Sequence, residues 1–131
     1  MPHYTALVTL LAILFYGSTG YGVVLARQKF GVPPPATSGH PDFDRAFRVQ
    51  MNTLEWMPIF LPLLWLFALY VSDIGAAALG LVWIAARILY MVRYREAASK
   101  RGLGFSLQGA VCVVLLVGAV AGIINTFVHG G

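Results

Sequence analysis

The chain has 131 residues, enough for one domain, and nine Lys and Arg against five Asp and Glu give a formal net charge of +4. It is 59% hydrophobic and only 11% charged, with a mean hydropathy of +0.77. Soluble domains carry about 25% charged residues, so these figures exclude an ordinary globular protein and predict an all-α integral membrane protein, a single membrane domain over residues 1–131.

A lone cysteine, Cys112, excludes an intrachain disulfide framework. His3, His40 and His129 lack metal-ligand spacing, so no metal is expected. A surplus of positive charge would hint at nucleic acid or anionic lipid in a soluble protein. Here the placement of the charges carries the meaning, and no nucleic-acid partner is expected.

The first predicted helix covers about residues 5–27. Thr5 to Ala26 is uncharged and long enough to cross a bilayer. It has no basic segment before it and no Ala-x-Ala site after it, so a retained helix is expected rather than a signal peptide. Ser18 and Gly22 give a small-xxx-small spacing suited to close helix packing. Residues 28–41, with Gly31, Pro33-Pro34-Pro35, Gly39 and Pro41, read as a stiff loop. Asp42 or Asp44 is expected to cap the second helix.

That helix, about residues 43–70, contains Pro58 and Pro62. Pro58 cannot donate to the carbonyl of Leu54, which predicts a bend beside Glu55. Ser72-Asp73 reads as a tight connection. The third helix is expected over about residues 74–99, with Gly102 and Gly104 breaking the chain after it. The fourth, about residues 105–128, is uncharged and holds a GxxxG at Gly118 and Gly122. Cys112, among valines and leucines, reads as an inert packed thiol. The chain ends at Gly131 without a basic tail.

All nine basic residues fall at one side of this four-helix arrangement. Arg27, Lys29, Arg45 and Arg48 surround the first loop; Arg87, Arg93, Arg95, Lys100 and Arg101 surround the third. The positive-inside rule places both loops in the cytoplasm and both termini outside.

Two polar stripes share that side. At about 100° per residue, Arg48, Asn52 and Glu55 lie within roughly 60° of one another on the second helix. On the third, Arg87, Tyr90, Tyr94 and Arg101 share a face if the helix persists that far. Ionisable groups inside membrane segments are costly and mark functional sites. Together the stripes suit a small zwitterion: arginines for carboxylates, Glu55 for an ammonium, Asn52 for an amide, and the tyrosines as hydroxyl donors. Gathered arginines would also favour a bound thiolate. The same residues admit a plainer reading, in which Arg48 and Glu55 neutralise each other, the tyrosines form an interfacial belt, and Arg93, Arg95, Lys100 and Arg101 only set topology. Gln50 lies about 200° from Arg48 and cannot line the same face, so it reaches a shared ligand only from another subunit.

The run from Pro33-Pro34 through Thr37-x-Gly39, Phe43-Asp44-Arg45 and Arg48-x-Gln50-x-Asn52-x-x-Glu55 to Pro58 resembles the MAPEG family, membrane-associated proteins in eicosanoid and glutathione metabolism. The match continues through Gly75-Ala76-Ala77-Ala78, Gly80-Leu81-Val82 and Ala86-Arg87-x-x-Tyr90-x-x-x-Tyr94 to Arg101, and it is nearest the branch of microsomal glutathione S-transferase 2 and leukotriene C4 synthase. The resemblance implies a four-helix subunit in a homotrimer, with glutathione as co-substrate held between neighbouring subunits. It implies that Arg48, Asn52, Glu55, Arg87, Tyr90 and Tyr94 bind the tripeptide and that Arg27 and Gln50 reach it from the adjacent subunit. Arg101 matches the residue that stabilises the thiolate and is the expected catalytic group.

Two departures stand out. Gln28 replaces the second arginine of leukotriene C4 synthase, and Trp56 replaces a tyrosine or other aromatic residue. The expected activity is therefore detoxifying conjugation of glutathione to lipophilic electrophiles, with peroxidase activity on lipid hydroperoxides or leukotriene C4 synthase-like activity as companions. The electrophile would enter from membrane lipid along an apolar groove near Leu61, Leu64 and Trp65, in either the endoplasmic reticulum or a bacterial inner membrane. The alternative is a non-catalytic lipid-binding protein resembling the 5-lipoxygenase-activating protein, against which the arginines and Glu55 argue. A transporter or purely structural protein ranks last, since no repeat symmetry or midplane charge pair is present.

Overall fold

A computed structural model describes residues 1–130, with only the backbone of Ala98; Gly131, where a tail-less end was expected, lies outside the described residues. It shows four long helices: α1 (His3–Phe30), α2 (Pro41–Tyr70), α3 (Asp73–Glu96) and α4 (Gly102–Val128), with a single 3-10 turn at Ala98–Arg101. Among the described residues there are no strands, and all four helices are long and apolar enough to cross a membrane.

Local chemistry sets the helix ends. α1 runs past its expected end at Arg27 until Gly31, whose φ of 67° is the left-handed conformation that glycine adopts without penalty. α2 begins differently from expectation. Its cap is His40, whose Nδ1 accepts the Asp42 N–H at 3.1 Å, and Pro41 fills a first-turn position where no N–H is needed. Neither Asp42 nor Asp44 is the cap; Asp44 Oδ1 takes the N–H of Gly39 at 3.1 Å and closes the preceding loop. The helix then continues unbroken through Pro58 and Pro62. Ser72 caps α3, its Oγ accepting the Gly75 N–H at 3.0 Å.

The third helix stops at Glu96, short of the expected residue 99, because Ala97 is extended (φ -164°, ψ 139°). Arg101 therefore belongs to the turn before α4, not to α3. The two glycines that follow do not break the chain. Gly102 is right-handed helical, and buried Gly104 lets α4 lie directly on the α3 backbone. A Cβ at Gly104 would sit 2.5 Å from the Tyr90 N and 2.8 Å from its Cα.

α2 and α3 each pack against all the other helices, with α1 and α4 as flanks. Phe60 and Trp83 stack at 3.9 Å in the centre, among Leu64, Leu115, Val8 and Ala12. Gly118 and Gly122 seat α4 on Phe67 and Tyr70, the close approach that the GxxxG spacing predicts. Ser18 and Gly22 do not receive a helix; Ser18 Oγ bonds its own Phe15 carbonyl, and Gly22 faces the Arg95 side chain. At the other end, Asp73 accepts the N–H groups of Tyr4 and Thr5 and the Thr5 hydroxyl at 3.2, 2.9 and 2.7 Å, tying the starts of α1 and α3 together.

At the expected substrate groove, Leu64 is fully buried, whereas Leu61 and Trp65 are half-buried, with Trp65 Nε1 donating to Thr9 Oγ1 of α1 at 2.9 Å. The outward surface is aliphatic, with Leu14 and Val117 69% and 61% exposed. Such a surface suits lipid rather than water.

Gly104→Ala should lower the thermal midpoint in detergent by an amount matching about 1–3 kcal/mol of overpacking. Gly109→Ala, with open space around it, should not lower it; equal midpoints for the two variants would contradict the backbone contact.

Candidate functional site

The polar face of α2 meets α3 through one buried cation. Arg87 is fully buried, donating from Nη1 to Asn52 Oδ1 at 2.8 Å and from Nη2 to Thr53 Oγ1 at 2.7 Å. Its guanidinium carbon lies 4.4 Å from the Tyr90 ring centroid and 5.9 Å from that of Trp83. Neutral oxygens and π-faces thus surround a charge that has no ion-pair partner among the described residues. Its Nε has no hydrogen-bond partner.

Above this contact is an open cavity of about 500 Å³ lined by Arg48, Asn52, Tyr90, Tyr94, Arg101 and Phe105. Three separate elements supply it. α2 presents Arg48 and Asn52 one turn apart; α3 presents Tyr90 and Tyr94, their rings 5.4 Å apart. The turn before α4 brings Arg101 to 5.9 Å from the Tyr94 ring, and α4 adds Phe105 at 6.1 Å from Tyr90. Trp56, the departure noted above, packs edge-on against Phe105 at 5.8 Å.

Arg101 thus reaches the expected cavity by a different route. The helix that was to carry it ends at Glu96, and the 3-10 turn folds it back over Tyr94. Arg87 is beneath the cavity and holds Asn52 in place. Glu55 is exposed on the same helix face but does not line the cavity. The stripe does not neutralise itself: the ion pairs among the described residues are Asp42–Arg45 and Glu96–Lys100, and neither Arg48 nor Glu55 takes part.

Arg27 and Gln50 lie elsewhere. Arg27 donates to the carbonyls of Val32 and Ala36 at 3.3 and 2.6 Å and covers the Phe43 ring, bracing the first loop. Gln50 lies against Gly20 of α1, where its Nε2 would be 3.2 Å from an added Cβ. Thr53 and Phe105 were missed from sequence. Thr53 follows Asn52 directly and its hydroxyl was an available signal; Phe105 depends on the close approach at Gly104, which no local pattern announces.

A larger apolar cavity of about 720 Å³, lined by Phe67, Tyr70, Val113 and Val117 among others, opens at the far end of α2 and α4. At 1.5 Å per residue, Val117 is roughly 24 Å along α4 from Arg101, so this cavity is separate from the polar one. No group of three or more His, Cys, Asp or Glu suited to a metal is gathered among the described residues. Cys112 is buried in the core.

The sequence profile of the MAPEG family matches residues 5–121, and the chain belongs to that family. It is 50% identical over 119 residues to an uncharacterized protein of Synechocystis sp., covering 91% of this chain and 87% of that protein. It is 47% identical over 103 residues to microsomal glutathione S-transferase 2 of Homo sapiens, covering 78% and 69% respectively. Leukotriene C4 synthase of Rattus norvegicus is 35% identical over 125 residues, covering 95% and 83%. Its relatives thus include glutathione-using membrane enzymes.

Replacing Thr53 by Val removes the acceptor of Arg87 Nη2 and leaves a buried donor unpaired, a loss of about 1–3 kcal/mol. Thr53→Val should therefore unfold in detergent at a clearly lower temperature than Thr53→Ser, which keeps the hydroxyl. Coincident unfolding curves would contradict the bond.

Proposed function

We propose that this protein is a membrane-bound glutathione S-transferase that conjugates glutathione to lipophilic electrophiles. The observation that carries this reading is the convergence of Arg48, Asn52, Tyr90, Tyr94 and Arg101 on one cavity from three elements distant in sequence. Arg48 takes a glutathione carboxylate, Asn52 an amide of the peptide, and Glu55, in no ion pair among the described residues, the γ-glutamyl ammonium. Arg87 positions Asn52. Tyr90 and Tyr94 supply hydroxyls along the tripeptide.

The working assembly is a homotrimer. Arg27 and Gln50 do not line their own chain's cavity and would serve the neighbour's, so each site uses two subunits. The basic end, with the site, faces the cytoplasm by the positive-inside rule. The membrane is that of the endoplasmic reticulum or a bacterial inner membrane.

Arg101 is the catalytic residue. The glutathione thiol gives its proton to solvent, and the guanidinium holds the resulting anion by a charge-assisted hydrogen bond. The sulfur then forms a C–S bond as a halide leaves, or as an epoxide C–O bond breaks and its oxygen takes a proton from water. With a lipid hydroperoxide, two glutathiones become the disulfide while the peroxide becomes an alcohol and water. Gln28 favours this broad range over leukotriene synthesis. The electrophile comes sideways from the bilayer past Phe105, which lines the cavity and is 37% exposed.

Losing one such stabilising donor costs about 10²–10³ in turnover. Arg101→Ala should show that loss with aryl halide and epoxide substrates, and its ultraviolet thiolate band should fade, while glutathione affinity changes little. Unchanged conjugation rates would refute the assignment. A wild-type protein that binds fatty acids but shows no thiolate band with glutathione would favour the non-catalytic lipid-binding reading.

A further inference from the structure

A second polar cavity, of about 410 Å³, opens between α1 and the start of α2 at the same basic end, lined by Gly22, Leu25, Lys29, Phe30, Asp42 and Ala46 and closed by Arg95 of α3. It shares no lining residue with the cavity of Arg48 and Arg101. Gly22, Leu25 and Lys29 lie about 140–160° around α1 from Arg27, so this opening faces away from the edge that Arg27 and Gly20 occupy.

The charges here are not self-cancelling. Asp42 is already paired with Arg45, whose Nε donates to the Arg95 carbonyl at 3.2 Å. Lys29 and Arg95 take part in no ion pair among the described residues. The Lys29 ammonium sits 5.4 Å from the Phe30 ring, and the Arg95 guanidinium lies against the α1 backbone at Gly22, where any Cβ would collide with it. Two uncommitted cations therefore flank a floor of Leu25, Ala26, Phe30 and Ala46.

The apolar character continues toward the membrane centre. Leu14, eleven residues before Leu25, and Ile88, seven before Arg95, each repeat the angular position of their partner within about 20°. They are 69% and 43% exposed. A soluble anion has no use for such a floor and strip. A zwitterionic lipid brings no net charge to answer two cations. Basic pockets between membrane helices suit anionic headgroups, which add surface charge attraction to acyl burial.

We infer that this cavity of α1, α2 and Arg95 binds an anionic phospholipid, its phosphate between Lys29 and Arg95 and one acyl chain along Leu25, Leu14 and Ile88. The volume lies within the roughly 300–1,000 Å³ of ligand sites. Arg95 thus acquires a role beyond setting topology, with its guanidinium resting against the Gly22 backbone.

Native mass spectrometry of the purified full chain, incubated with phosphatidylglycerol or phosphatidylcholine, tests this. Wild type should retain phosphatidylglycerol preferentially. At about 1 kcal/mol per basic residue, Lys29→Gln and Arg95→Gln should each lower that retention about fivefold. Arg95→Lys should largely keep it, and circular dichroism checks that each variant is folded. Arg93→Gln, an exposed cation outside the cavity, should leave retention unchanged; an equal loss there would reduce the effect to bulk charge and overturn the site. Equal retention of the two lipids, or displacement of phosphatidylglycerol by millimolar inorganic phosphate, would also overturn it.

Discussion

A guanidinium buried between membrane helices is the most demanding group in this chain, and the site is built around meeting its needs. Arg87 is completely enclosed, so its charge must be answered from within the bundle. Asn52 and Thr53 answer it across the α2–α3 seam, with the faces of Tyr90 and Trp83 completing the enclosure. That fixes the rotation of α2 about its axis. Arg48, one turn before Asn52, is then held on the same edge, opposite Tyr90 and Tyr94. An apolar residue at 87 would leave that rotation to nonspecific packing.

The second determinant is steric. α4 meets α3 at Gly104 with backbone on backbone, and Gly118 and Gly122 continue the approach along Phe67 and Tyr70. In lipid, where apolar side chains gain nothing by avoiding the solvent, close packing of small residues replaces the hydrophobic drive. The contact at Gly104 also delivers Arg101 and Phe105 to the cavity rim, since Phe105 follows it directly and Arg101 lies three residues before it. Packing and chemistry are joined at one glycine.

Much of this was legible in the residues. Hydropathy and length gave four apolar helices because lipid penalises any exposed backbone polar group, so a long uncharged run has few other solutions. Helical angles found the Arg48–Asn52–Glu55 stripe and separated Gln50 from it, because that periodicity is rigid. Contacts between elements were less accessible. Arg101 shared a face with Tyr90 and Tyr94 only if the third helix persisted past its expected end near residue 99, whereas Ala97 ends that helix and the turn brings Arg101 to the cavity from another direction. Gly104 looked like a breaker because glycine's helix penalty is local, while its use here is tertiary. Leu64 looked free to line a groove, and it is fully buried in the core, because which face of a helix is covered depends on its tertiary neighbours. His40 took the cap from two aspartates because Pro41 placed the first helical residue earlier than the acidic pair suggested.

In the proposed enzyme one chain carries only part of the glutathione site, with Arg48, Asn52 and Arg101 at its own cavity and Arg27 and Gln50 outside it. Co-expression of two defective chains tests this directly, one with Arg101→Ala and the other with Arg27→Ala and Gln50→Ala. Purified mixed oligomers should regain conjugation activity that neither parent oligomer shows, because some interfaces then join two intact halves. Mixed oligomers as inactive as their parents would contradict a site shared between subunits.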